Sequence, residues 1–170
     1  PPRRDVRDVM ASCRLVLQQQ ATSWGMQVST AVNGKQALAM LHNQATIHEP
    51  FDIVILDHEM PGMSGMELAA RIREDALISN DPLVLMLTGL GLAPSSTAAR
   101  NAGIRRVITK PVTGRLLKII FQEELAHLRR IRSVHQRDDA SAEVLQPLNI
   151  LVAEDHHLSA MRTLRILLLA

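Results

Sequence analysis

Three residues able to do chemistry close three apolar runs. Asp57 ends the run Ile53 to Leu56, inside the stretch FDIVILDHEMPGMSG, and Thr88 ends PLVLML, which starts at Pro82. Lys110 ends RVIT, Arg106 to Thr109. Each run is short, continuous and apolar, which suits a strand buried on both faces of a parallel sheet. In open α/β sheets the ligand crevice lies outside the carboxyl ends of such strands. A carboxylate, a hydroxyl and an amine would therefore meet there. The first is an oxygen nucleophile, the second can donate to an anionic oxygen, and the third is a point charge that offsets one. Taken alone, Asp57 reads equally well as a turn aspartate. The ordered set of strand ends favours a site.

The elements that must hold these ends follow from periodicity and punctuation. Val6, Val9, Met10, Cys13, Val16, Leu17, Ala21 and Trp24 recur at helical spacing, which predicts a helix over 4–23 with Gly25 as its C-cap. Met26 to Ala31 reads as a short strand, Asn33-Gly34 as a turn, and Lys35 to His42 as a helix. Ser64 is placed to cap a helix starting near Gly65, and Ser95 or Ser96 a short helix through Asn101. Thr113 opens a long helix, to about Val134, with Leu117, Phe121, Leu125, Leu128 and Ile131 as its stripe. Its basic residues Arg129, Arg130, Arg132 and Arg137 read as a solvated face rather than a nucleic-acid contact. A polar linker over 137–147 precedes LNILVAED, a further strand pattern ending in Glu154 and Asp155, and the residues from His157 to Ala170 read as a helix.

Composition narrows the class. The chain has 170 residues, 46% of them hydrophobic, and a formal net charge of +2. That is enough apolar content for a packed core and too little charge to argue for nucleic acid. No apolar run is long enough to span a bilayer, so direct membrane contact is not expected and a cytoplasmic location is. Cys13 is the only cysteine and reads as a small core residue, so no internal disulfide is available.

Asp57, Thr88 and Lys110-Pro111, in this order and each after an apolar strand, resemble the receiver domain of two-component response regulators and hybrid histidine kinases. The resemblance covers most of the chain from Met10 to about Gln136. It implies an α/β fold, a flavodoxin-like doubly wound parallel sheet. It implies that Asp57 is a phosphoacceptor served by a histidine kinase or a histidine phosphotransfer domain, with Lys110 and Thr88 on the phosphoryl oxygens. It implies Mg²⁺, held by Asp57, by the backbone carbonyl of Glu59 and by an acidic pair ending the first strand. It also implies a cis peptide between Lys110 and Pro111. The repeat of the pattern in LNILVAED implies residues 1–136 as one receiver and 148–170 as the opening of another, in a parent hybrid sensor histidine kinase, a phosphotransferase whose location would allow a membrane anchor.

Two departures stand out. The position three before the lysine, aromatic in the family, is Val107. The first strand with its acidic pair is absent or degenerate at the N-terminus, because Pro1 to Asp8 has no apolar run. Its central place must be filled, since unpaired buried backbone groups are costly. Asn149 to Asp155 is the expected filler, folded back or exchanged between two chains in a homodimer, and it would carry Glu154 and Asp155 to the metal. The competing reading is a pseudo-receiver that binds partners without phosphorylation. A phosphatase of the haloacid dehalogenase type is disfavoured, because it requires an aspartate where this chain has Glu59. His58 reads as a solvated loop histidine, and His156-His157 as a helix start.

Overall fold

In the computed structural model, which describes residues 6–78, 81–138 and 165–169, ten elements follow one another. They are α1 (Val6–Ser23), β1 (Gln27–Ala31), α2 (Gly34–Thr46), β2 (Ile53–Asp57), α3 (Gly65–Glu74), β3 (Leu83–Thr88), α4 (Ser96–Asn101), β4 (Ile104–Thr109), α5 (Gly114–Asp138) and β5 (Arg165–Leu169). Two compact units divide them. One holds α1 to β4 together with β5, and the other holds α5.

The five strands form one sheet in the order β1-β5-β2-β3-β4, with every pair parallel. Burial follows position in the sheet. All residues of β2 and β3 are buried, whereas the edge strands β1 and β4 are only partly so. This is why β2 and β3 read as continuous apolar runs, whereas RVIT, expected to be buried on both faces, lies in an edge strand with Arg106 and Val107 half-buried and Thr109 exposed. Val54 and Leu56 of β2 belong to a buried cluster with Met86, Leu167 and Leu169 of its neighbours, covered by Leu41 of α2 and by Leu68, Ala69 and Ile72 of α3. On α1, Leu17 and Ala21 are buried. Cys13 and the side chains before it lie outside the described residues.

Helix starts are fixed by side-chain caps. Asn33 Oδ1 accepts from Gln36 N at 2.9 Å, while Gln36 Oε1 accepts from Val32 N at 2.7 Å. Two backbone donors are thus satisfied reciprocally, and Asn33-Gly34 is a helix start rather than a free turn. Ser64 accepts from Glu67 N, and Ser95 from Ala98 N. The Thr113 hydroxyl accepts from Leu116 N at the head of α5. In α5, Leu117 and Phe121 are buried as the stripe predicts, and the side chains of Leu125, Leu128 and Ile131 lie outside the described residues.

The place between β1 and β2 is filled from the same chain, by a different segment from the one expected. Arg165–Leu169 pairs with Gln27–Ala31 on one side and with Ile53 to Leu56 on the other. The predicted helix from His157 is therefore corrected at its far end. RILLL is apolar at every position after its first, and a slot buried on both faces selects an extended run of that kind. The expected filler, Asn149 to Asp155, lies outside the described residues, as does the polar linker from residue 139 on; its expected first residues, Arg137 and Asp138, instead end α5.

One polar link ties α2 to the end of α3. His42 Nε2 and Asp75 Oδ2 are 2.6 Å apart. The His42 hydrogen bond first, then the Leu77 N–H, hold the Asp75 carboxyl below its ordinary value. A lowered folded-state value stabilises the fold above the unfolded-state value, and that contribution is lost as pH falls through the folded one. Asp75→Ala should therefore melt below the wild type at neutral pH. The gap should close as pH drops beneath the ordinary carboxylate range, as a pH series of thermal melts would show.

Candidate functional site

The parallel ladder brings the three strand ends side by side. His58 N donates to Leu87 O at 2.8 Å, and Lys110 N donates to Thr88 O at 2.8 Å. The residues following β2 and β4 are thus pinned to β3. Asp57 is 2% exposed and Thr88 is fully buried. Lys110 Nζ donates to Asp57 Oδ2, and Glu59 N donates to Asp57 Oδ1 at 3.2 Å. Both carboxylate oxygens are engaged, one by a charge. A carboxylate with its own cation, at the carboxyl end of an inner strand, can attack an electrophile whose negative charge the amine then offsets.

The loop after β2 turns back under the site. Gly65 N donates to His58 O at 3.1 Å. A Cβ on Gly65 would lie 2.2 Å from the Asp57 carbonyl oxygen, so α3 starts in backbone contact with Asp57.

Of the residues nominated from the sequence, Asp57 and Lys110 are in contact. Thr88 ends the strand between theirs. The Lys110-Pro111 peptide is cis, as the resemblance implies. Val107 is half-buried against the core where the family has an aromatic ring. His58 departs from the expectation of a solvated histidine. It is half-buried, with Nδ1 3.4 Å from Thr88 Oγ1. A single histidine has no periodic pattern to reveal that contact, and adjacency to Asp57 was its only sequence signal. Gly65 was read only as a helix start.

The profile of the response regulator receiver domain matches residues 5–122. The chain belongs to that family. The receiver is 35% identical over 88 residues to the chemotaxis protein CheY of Pseudomonas aeruginosa, a match covering 52% of this chain and 66% of that protein. It is 33% identical over 107 residues to the response regulator PleD of Caulobacter vibrioides, covering 63% of this chain and 22% of PleD. The chain thus spans less than two thirds of these relatives. Among solved structures it resembles the response regulator TrrA of Thermotoga maritima in complex with Mg²⁺ and BeF. That match has 27% identity and a TM-score of 0.54, and covers 66% of this chain and 90% of that one. In the described residues of the receiver no helix is long and apolar enough to cross a membrane.

Receivers generally bind Mg²⁺ at the phosphorylation site. Here the nominated ligands in the described residues are the Asp57 carboxylate and the Glu59 carbonyl, and Glu154 and Asp155 lie outside them. The strand beside β2 contributes RILLL, which has no carboxylate, and its last paired residue, Leu169, is level with Leu56. Among the described residues no three of His, Cys, Asp or Glu are grouped to share a cation. Mg²⁺ keeps several waters and commonly takes one or two carboxylates plus substrate phosphate oxygens. Asp57 and the Glu59 carbonyl therefore fit as part of such a set.

Proposed function

We propose that this receiver is a phosphoacceptor, modified on Asp57 by a phosphohistidine of a histidine kinase or histidine phosphotransfer domain. The contact of Lys110 Nζ with Asp57 Oδ2 carries the reading. An Asp57 oxygen attacks phosphorus, the P–N bond of the donor breaks, and the imidazole leaves with the bonding pair. Lys110 shifts from the carboxylate to a phosphoryl oxygen, and Thr88 donates its hydroxyl to another. Mg²⁺, when bound by Asp57 and the Glu59 carbonyl with Glu154 and Asp155 as further candidates, supplies positive charge that lets two anions approach.

Incubation with a small phosphodonor and Mg²⁺ should add one phosphoryl group by mass spectrometry, and Asp57→Asn should abolish it. Lys110→Ala should slow the reaction by about 100-fold, the usual scale for removing one stabilising donor from a reacting oxygen. An unmodified wild type at high donor and metal would leave the pseudo-receiver reading in its place. The run Leu148 to Asp155, with its strand pattern and acidic end, supports the further proposal of a hybrid sensor kinase parent with a second receiver after the linker.

A further inference from the structure

We infer that His58 is the positioning residue that holds Thr88 in the resting receiver. Thr88 is fully buried. Its hydroxyl lies 3.4 Å from His58 Nδ1 and 3.5 Å from the Gly89 carbonyl oxygen. Both distances are long for a hydroxyl, so the side chain is held loosely. The backbones around it are fixed. His58 N donates to Leu87 O, Gly65 N donates to His58 O, and Lys110 N donates to Thr88 O. A weak side-chain link thus spans two pinned strand ends, the arrangement in which one hydroxyl can change partners without the strands moving.

Either tautomer closes the link. With Nδ1 unprotonated, the Thr88 hydroxyl donates to it. With Nδ1 protonated, the ring donates to Thr88 Oγ1 and the hydroxyl donates to Gly89 O. No ring on β4 can take this part, since the position three before Lys110 is Val107 and the chain has no tyrosine. His58 is covalently next to Asp57. Among the described residues, Lys110 beyond β4 is the charged side chain bonded to Asp57, and Glu59 follows on the loop, its N–H on the same carboxylate.

The inference rests on Asp57 as phosphoacceptor. A phosphoryl group there offers charged oxygens, which are stronger acceptors than a neutral ring nitrogen or a carbonyl. Thr88 redirects its hydroxyl hydrogen bond to them, and the His58 ring loses its partner. The link stabilises the resting arrangement, so removing it shifts the equilibrium toward the phosphoryl-bound one. His58 thus couples the chemistry at Asp57 to a ring on the loop between β2 and α3.

The test uses the full chain, ring-nitrogen NMR of His58, and Mg²⁺ with beryllium fluoride as the phosphoryl stand-in. In the free protein, Thr88→Val should move the His58 Nδ1 resonance. In the wild type, beryllium fluoride should move it in the same direction. His58→Leu should bind beryllium fluoride about two- to fivefold more tightly, the scale of one weak neutral hydrogen bond. His58→Asn, whose amide reaches the place of Nδ1, should restore the wild-type affinity, and His58→Gln, which reaches the place of Nε2, should not. An unmoved ring resonance in Thr88→Val overturns the inference, as does equal binding by the Leu and Asn variants. If beryllium fluoride leaves the wild type unaltered, the phosphoacceptor reading fails instead, and the Thr88→Val resonance still decides whether His58 holds Thr88.

Discussion

Gly65→Ala should lower the stability of the receiver by about 3 kcal/mol, at the upper end of what overpacking usually costs. The added methyl would sit 2.2 Å from the Asp57 carbonyl oxygen and 3.0 Å from the Met86 methyl. A side-chain tip can swing away, but the carbonyl belongs to the end of β2 and cannot. Either α3 retreats or the end of β2 shifts, and both movements disturb Asp57. A melting temperature roughly 10 °C below the wild type is the expected reading, with slower modification of Asp57. Gly62→Ala is the informative control. Gly62 has φ +80° with nothing within 4 Å of an added Cβ, so only backbone strain of about 1–2 kcal/mol applies. Equal melting of the two variants would mean that close approach at Gly65 is not what its position demands.

Leu167→Asp should abolish cooperative folding. Leu167 is fully buried, in register with Ser29 of β1 and Val54 of β2. Truncating a buried leucine costs about 2–5 kcal/mol, and a carboxylate with no partner there adds a desolvation penalty. The sum is comparable to the whole stability of an ordinary domain, about 5–15 kcal/mol. Leu90→Asp, on a residue 84% exposed, should stay within about 0.5 kcal/mol of the wild type. Denaturant titration followed by circular dichroism reads both. A Leu167→Asp protein as stable as the wild type would show that β5 is not in the sheet.

The sequence was most informative where burial is symmetric. Ile53 to Leu56 and Leu83 to Leu87 are buried on both faces, so their composition alone marks them as inner strands. Caps were legible because Ser64, Ser95 and Thr113 each accept from the backbone N–H three residues on, a local spacing. RILLL was not legible. Leu158, Met161, Leu164, Leu167 and Leu168 also satisfy a helical period, and the decision for a strand comes from the slot between β1 and β2, which local pattern does not contain. Asp57, Thr88 and Lys110 were found as ends of strands, whereas the His58 to Thr88 contact depends on how the loop after β2 turns back, a matter of tertiary geometry.

The position of β5 also bears on how the receiver reaches its native state. β1 and β2 are near neighbours in the chain, yet neither bonds the other. Each waits for residues 165–169. The middle of the sheet is thus assembled from contacts of great sequence separation, whose chain-closure entropy must be met before they return any stability. Until then β2, β3 and β4 expose one unpaired flank, and β1 another. Such flanks recruit foreign strands. Refolding should accordingly be slow for a protein of this size, with losses to aggregation that grow with concentration.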